Sequence, residues 1–369
     1  MKTKSWVVRA PEKMVLEEFD IPEVDADGIL MRVNMVSICG SDPKYYFGLH
    51  NPEYLPMIMG HEVVGVVEKI GEEAKKTYGV DTGDRITIEP YMNCGECDYC
   101  KAGYYQLCRN SEIYGCKKSC NDEKHLWGGY GRYMYIGRGS HVYKVNDDIP
   151  DEAAVFSSVI GNGFRMVKTK GEVTPKDRVV IWGPGALGLC AVIAAKELNA
   201  AKIIVVGLEK DRIRLDLAKE FGATETIVSD QEDALSRISE MTGGDMADVV
   251  IECTGAPGLY NTVIDSVKKT GRLVLLGLNG RDDIPICTDR IIQRELTVKG
   301  CVGQPGNCQD AMETLNKGIY PVEKMATHRF SIDEADQAFQ FALRTDNPDL
   351  IRVVMDCRAQ DREKTDENL

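Results

Sequence analysis

VVIWGPGALGLCAVIAAKEL, residues 179–198, decides the fold of half of this 369-residue chain. An apolar run rich in β-branched residues stops at Gly183, and a helix-forming apolar run begins just after it. Gly183, Gly185 and Gly188 make a G-x-G-x-x-G pattern across that junction. The first glycine permits a tight turn, the second lets backbone approach a pyrophosphate, and the third allows a helix to pack close to a strand. Ala186 and Leu187 lie between the last two glycines, where the N–H groups of a helix start point at an anion. Glycine-rich turns also arise for steric reasons alone. Here the strand–turn–helix context is present and further strand–helix units follow, so the segment is read as a dinucleotide site.

Working outward, Arg178–Trp182, Lys202–Val206, Asp248–Cys253, Arg272–Leu276 and Leu296–Gly300 read as buried strands. Gly188–Leu198, Asp211–Phe221 and Gly258–Lys268 read as the helices between them. Apolar strands alternating with helices predict a parallel sheet covered on both faces, doubly wound through right-handed crossovers. Ligands of such sheets lie at the carboxyl ends of strands, which makes Thr254, Gly255, Gly277 and Leu278 candidate ribose and nicotinamide contacts. The second strand, KIIVVGLEKDR (202–212), ends in Gly207 where an acidic residue commonly holds the adenosine ribose diol. Glu209 favours NAD, whereas Lys210 and Arg212 favour the 2′-phosphate of NADP. The balance is taken for NAD, with NADP left open.

The first 150 residues have another texture. Short β-type runs (Ile29–Val36, Glu62–Ile70, Arg85–Glu89, Arg132–Ile136) are broken by turn clusters and predict a compact, mainly β domain. After Gly300 come helical stretches Cys308–Lys317 and Ile332–Arg344, a strand-like Ile351–Asp356, and a polar tail, RAQDREKTDENL, expected to fray. The α/β unit is therefore expected as an insertion, with domain ranges 1–158 plus 302–369 and 159–301.

Composition narrows the function classes. Forty-five basic against 58 acidic residues give a net charge of −13, which argues against a nucleic-acid or anionic-membrane partner. No apolar run approaches the roughly 20 residues of a bilayer span. The N-terminus, MKTKSWVVRAPEK, lacks the pattern of a signal peptide. Thirteen cysteines, an odd number, then read as reduced thiols of a cytoplasmic protein.

Four of those thiols have metal-ligand spacing. CGECDYCKAGYYQLC places Cys94, Cys97, Cys100 and Cys108 in C-x2-C-x2-C-x7-C, within a lobe of about residues 90–115. Four thiolates close around one tetrahedral zinc with no open position, which is a structural site. Cys39, His61 and the adjacent Glu62 suit a second zinc with an open position, of the kind that polarises an alcohol or carbonyl oxygen. Taken singly, Cys39 and His61 read more often as packing residues than as ligands.

Together these segments resemble the zinc-dependent medium-chain alcohol dehydrogenases, in their sorbitol and threonine dehydrogenase-like branch, over nearly the whole chain. The resemblance rests on Cys39-Gly40-Ser41-Asp42, on Gly60-His61-Glu62 followed by VVGVVEKIG, on the four-cysteine lobe and on the Gly183–Gly188 turn. It implies a GroES-like, mainly β catalytic domain with an inserted Rossmann domain, and an active site in the cleft between them. It implies Cys39 and His61 as catalytic zinc ligands and Ser41 as the hydroxyl that takes the substrate proton. It further implies Asp42 as a carboxylate orienting the histidine, Arg352 as a pyrophosphate ligand, and a homodimer or homotetramer. The reaction implied is reversible transfer of a hydride between a secondary alcohol and NAD(P), giving a ketone; polyols, amino alcohols and cyclic alcohols are the substrate classes.

Two departures from the family pattern stand out. Relatives carry a third zinc ligand where AAVFSSVIGNGFR (153–165) has Ser157 and Ser158, so Glu62 is the substitute ligand, or the position is metal-free. Lys44 replaces the outer histidine of a proton relay and is assigned to substrate contact or solvent; His50 is a second candidate for that relay, or a surface-loop histidine. The segment YGCKKSCNDEKHLWGGYGRYMYI (114–136) lies where relatives line the substrate cleft, which brings Cys116, Lys117, Lys118, Cys120 and Trp127 into consideration. Two other readings stay open at this stage: a zinc-poor reductase or dehydrogenase acting on an enone or a cyclic CoA thioester, and a non-catalytic cofactor-sensing relative.

Overall fold

A computed structural model of the chain describes residues 1–280, 283–344 and 347–358. All but the first residue of the polar tail lies outside the described residues. The chain divides into two compact units, Met1–Ser158 with Val322 onward, and Val159–Pro321.

In the second unit, six strands form one parallel sheet. Its order is Glu225–Val228, Lys202–Gly207, Arg178–Trp182, Ala247–Glu252, Val267–Leu275, Thr297–Gly300. Numbered along the chain this is 3-2-1-4-5-6, the doubly wound order expected for a dinucleotide-binding sheet. Val180, Ile204, Val206, Val250 and Leu273 meet Ile238, Val263 and Ile264 in one buried cluster. The strand order reverses between Arg178–Trp182 and Ala247–Glu252, so the residues following those two strands come side by side: a Cβ added to Gly183 would meet the Thr254 methyl at 2.7 Å.

The first unit is built on a seven-stranded, largely antiparallel sheet. Strand Ile29–Ser37 pairs with Glu62–Ile70, with Tyr133–Ile136 and with Val353–Asp356. A smaller sheet joins Lys13–Asp20, Lys2–Ala10 and Met57–Ile58. Strand Ile29–Ser37 is buried at eight of its nine positions, because neighbours cover both of its faces. Cys39 follows its end, and His61 immediately precedes Glu62–Ile70, which is antiparallel to it with Ser37 opposite Glu62. That register brings two residues far apart in sequence to the same end of the sheet.

The return to the first unit comes at Val322 rather than at 302. Residues 304–320 are held to the second unit by polar contacts: Thr169 to Asn307 (3.1 Å), Lys168 to Asp310 (2.6 Å) and Tyr320 to Glu197 (2.9 Å). Sequence texture marks where a helix lies but not which unit it packs against. The expected helix Gly258–Lys268 is also shorter, spanning Tyr260–Asp265, because Val267 already pairs with Ala247.

Candidate metal centres and dinucleotide site

The four-cysteine lobe is a run of short turns with two helical turns, Asp98–Lys101 and Tyr105–Leu107. It brings Cys94, Cys97, Cys100 and Cys108 together, with Sγ–Sγ separations of 3.4, 3.5, 3.9 and 3.9 Å. Four sulfurs about 2.3 Å from a tetrahedral zinc lie about 3.8 Å apart, so this set fits the ion. Charge fits as well. Backbone N–H groups of Arg109 and Cys100 draw the Cys97 thiol down to about 6, while burial and the neighbouring sulfurs push Cys100 up to about 12. A cation between them removes that conflict.

Beside the lobe, His141 stacks on Tyr105 (centroids 4.0 Å apart), and its Nε2 lies 2.7 Å from the Asn93 side-chain amide. Burial lowers its pKa to about 4. An unfolded histidine titrates near 6.5, so between roughly 6.5 and 4 the unfolded chain binds a proton that the native one refuses. This contribution to stability is complete above about pH 6.5 and declines as the pH falls toward 4. Thermal unfolding followed from pH 7 to 4.5 should show that decline, with a shallower slope in His141→Gln.

In the second constellation, one ligand atom each from Cys39, His61 and Glu62 lies within 4.8 Å of the others. His61 and Glu62 are buried and Cys39 is half-buried. The Ser41 hydroxyl donates to Cys39 Sγ at 3.3 Å. Burial opposes a charged His61 ring, yet the Cys116 and Cys39 sulfurs outweigh it and hold the pKa well above the ordinary imidazole range. Glu62 Oε2 and Asp42 Oδ1 are buried without a hydrogen-bond partner. A pocket of acids and thiols that favours positive charge and leaves acceptor oxygens unmet suits a bound cation. Ser157, one of the two serines at the expected third-ligand position, has its hydroxyl 2.7 Å from Thr87 Oγ1.

Several expected residues sit differently from their assigned roles. Asp42 is fully buried, with Oδ2 accepting from the Cys39 N–H and the Tyr130 hydroxyl, both at 2.9 Å. Its Oδ1 is 3.6 Å from His61 Nδ1, beyond a good hydrogen bond. Arg352, expected on a pyrophosphate, donates to the Ile38 carbonyl (2.8 Å) and to Glu62 Oε1 (3.3 Å). It leads into strand Val353–Asp356, next to Ile29–Ser37, so its guanidinium is directed to the buried Glu62 carboxylate. Lys44 is half-buried and forms no ion pair among the described residues. Lys118 is committed to Glu112 (2.8 Å) and lies over the Trp127 ring.

In the second unit, helix Ala186–Glu197 starts directly after Gly185. Gly183 has φ +96°, and a Cβ on Gly188 would lie 1.9 Å from the Gly183 carbonyl oxygen. Both positions therefore require glycine. Sequence reasoning overlooked Glu252, a buried carboxylate whose Oε1 accepts the N–H groups of Thr254 (2.7 Å) and Gly255 (3.0 Å) as well as the Thr254 hydroxyl. It fixes the turn that sits beside Gly183. Gly277 follows strand Val267–Leu275, and Leu278 is largely exposed. Glu209 pairs with Arg212 at 2.5 Å, and its N–H donates to Asp230 at 2.8 Å.

A glycine-rich turn on a doubly wound sheet, with two zinc-fitting clusters in a separate β unit, defines an oxidoreductase that uses zinc and a dinucleotide. Residues 25–147 match the alcohol dehydrogenase GroES-like domain, and residues 186–317 the zinc-binding dehydrogenase domain. The chain is 32% identical over 345 residues to an erythritol/L-threitol dehydrogenase of Mycolicibacterium smegmatis, covering 90% of this chain and 92% of that protein. It is 31% identical to a D-arabitol-phosphate dehydrogenase of Enterococcus avium, covering 92% and 93%. Among solved structures, an Escherichia coli oxidoreductase/dehydrogenase of unknown specificity superposes with a TM-score of 0.87 at 26% identity, covering 96% of this chain and 99% of the other. The chain belongs to the zinc-dependent medium-chain alcohol dehydrogenases, and its cofactors are zinc and NAD(P). The fold expected from sequence, a GroES-like domain with a Rossmann domain, is borne out. Among the described residues, no helix is long and apolar enough to cross a membrane.

Proposed function

We propose that this enzyme oxidises a secondary hydroxyl of a polyol, or of a closely related amino or cyclic alcohol, reversibly to the ketone, with NAD as the preferred cofactor. The observation that carries the reading is the grouping of Cys39, His61 and Glu62 around one point, with the Ser41 hydroxyl against Cys39. Zinc bound there supplies positive charge to an alcohol oxygen, and the nicotinamide accepts the hydride. Cys39, His61 and Glu62 would hold the ion; Arg352 fixes the Glu62 carboxylate in place. Ser41 takes the hydroxyl proton as the carbon–hydrogen bond breaks. Lys44, unpaired by any described acid, is left to substrate contact or solvent. Gly183–Gly188 and the N-terminus of helix Ala186–Glu197 receive the pyrophosphate, while Thr254, Gly255, Gly277 and Leu278 lie at the strand ends that receive ribose and nicotinamide.

The preference for NAD is supported by Glu209 and Asp230, two acids after neighbouring strands, and by the pairing of Arg212 with Glu209, which cancels the cation a 2′-phosphate needs. The kcat/KM with NAD should exceed that with NADP, and Glu209→Ala should narrow the ratio by about tenfold, the effect of roughly 1.4 kcal/mol. A panel of polyols, amino alcohols and cyclic alcohols, assayed with zinc content measured after extensive dialysis, tests the reaction itself; turnover of none of them defeats the reading.

The same reading includes a cytoplasmic homodimer or homotetramer. All thirteen cysteines are free thiols, in keeping with a reducing compartment. The outer strand Thr297–Gly300 has one edge unpaired among the described residues, with Val298, Ile292 and Ile286 exposed nearby, a surface that a second copy can cover. Light scattering of the purified enzyme tests the assembly.

A further inference from the structure

An imidazole that binds a metal through one nitrogen is usually held through the other, and that partner sets both the tautomer and the aim of the ring. Asp42 was the expected partner of His61. Its Oδ2 is already shared by the Cys39 N–H and the Tyr130 hydroxyl, and its Oδ1 stands 3.6 Å from His61 Nδ1. Cys116 lies closer to that nitrogen, with Sγ 3.3 Å from Nδ1, well within the range of a hydrogen bond to sulfur. The thiol is 2% exposed and also meets the Tyr45 hydroxyl. Its backbone is fixed on both sides: the Cys116 N–H donates to the Ile113 carbonyl (3.2 Å), and its carbonyl accepts from Asn51 Nδ2 (3.1 Å). The sulfur is therefore held against the ring from an element 55 positions away in sequence.

We propose that Cys116 is the positioning residue of the metal-binding histidine: its sulfur accepts the His61 Nδ1–H and leaves Nε2 free for the ion shared with Cys39 and Glu62. The proposal rests on the reading of Cys39, His61 and Glu62 as a metal site. It gives Cys116, first noted as a residue of the substrate-lining segment, a different task. Sulfur is a weaker hydrogen-bond acceptor than a carboxylate oxygen, so it donates less electron density through the ring and leaves the ion more electrophilic toward an alcohol oxygen.

The test uses the full-length enzyme with both sites loaded with zinc, and the four-cysteine ion serves as an internal reference. Cys116→Val keeps a similar shape without the acceptor, whereas Cys116→Ser keeps a smaller one. Under a competing chelator, the second ion should leave C116V about 10–100-fold more readily than the unmodified enzyme, with C116S in between and the four-cysteine ion unaffected. Equal retention in C116V and the unmodified enzyme overturns the proposal, and so does equal loss from C116V and C116S.

Should C116V fail to fold, cobalt substitution of the unmodified enzyme and C116S decides. Unchanged thiolate-to-cobalt absorption in the near ultraviolet, with shifted visible bands, supports a partner that touches only the ring. Loss of one thiolate's absorption overturns it, because Cys116 is then itself a ligand. An unmodified enzyme that holds one ion only, in the four-cysteine lobe, refutes the metal-site reading; two ions held with no effect of C116V refute this inference alone.

Discussion

His61→Ala should leave one zinc ion per chain, in the four-cysteine lobe, and lower alcohol oxidation by on the order of a thousandfold. A metal that stabilises developing negative charge contributes several kcal/mol, and each 1.36 kcal/mol is about a factor of ten in rate. Removing the ring deletes the one nitrogen ligand of the site and leaves Cys39 and Glu62 facing each other without a cation. The buried Glu62 carboxylate keeps its contact with Arg352, so the β unit should still fold. The four-cysteine lobe contains neither residue and serves as the control. Metal analysis of the purified variant, paired with steady-state kinetics, checks both halves of the expectation; a variant that retains two ions and most of its activity removes His61 from the mechanism.

Gly188→Val should abolish dinucleotide binding while leaving both metal sites loaded. The added Cβ would sit 1.9 Å from the Gly183 carbonyl oxygen, and a backbone atom cannot swing aside as a flexible side chain does. The turn must open or the helix must lift, and either movement displaces the N–H groups that receive the pyrophosphate. Forced overpacking costs about 1–3 kcal/mol in the usual case, and the strain here falls on a unit distinct from the metal clusters. NADH fluorescence titration should show at least a hundredfold weaker binding, alongside unchanged zinc content. Native-like affinity would mean that the glycine turn is only a steric feature. The two variants thus separate the cofactor unit from the metal-bearing unit.

Much of this architecture is legible in the sequence where local chemistry is strong. Arg178–Trp182 and Glu62–Ile70 have in the structure the bounds read from their apolar runs. A doubly wound parallel sheet follows from alternation and the handedness of crossovers, both visible without coordinates, whereas the particular order 3-2-1-4-5-6 emerges only in the structure. The four cysteines lie in one short loop, so their spacing alone brings them together. His61 and Cys39 are harder, since they meet only through the antiparallel register of two strands, and the family pattern rather than spacing pointed to them.

What escaped depends on long-range packing. Glu252 reads as an ordinary residue in an apolar strand, and only the fold turns its carboxylate onto the Thr254 turn. The Cys116 contact with His61 and the direction of Arg352 toward Glu62 join segments 55 and 290 residues apart. No periodicity or local motif encodes such pairs.

The place of strand Val353–Asp356, between Ile29–Ser37 and the edge strand His328–Ser331, also bears on biosynthesis. An emerging polypeptide stopped after residue 158 would lack the two strands at one end of its own β sheet and the guanidinium that pairs with Glu62. The Val159–Pro321 unit, by contrast, is contiguous and can collapse while the ribosome is still translating. Maturation of the metal-bearing unit therefore waits until residues 322–358 have been translated, and truncations within them should harm it more than their length suggests.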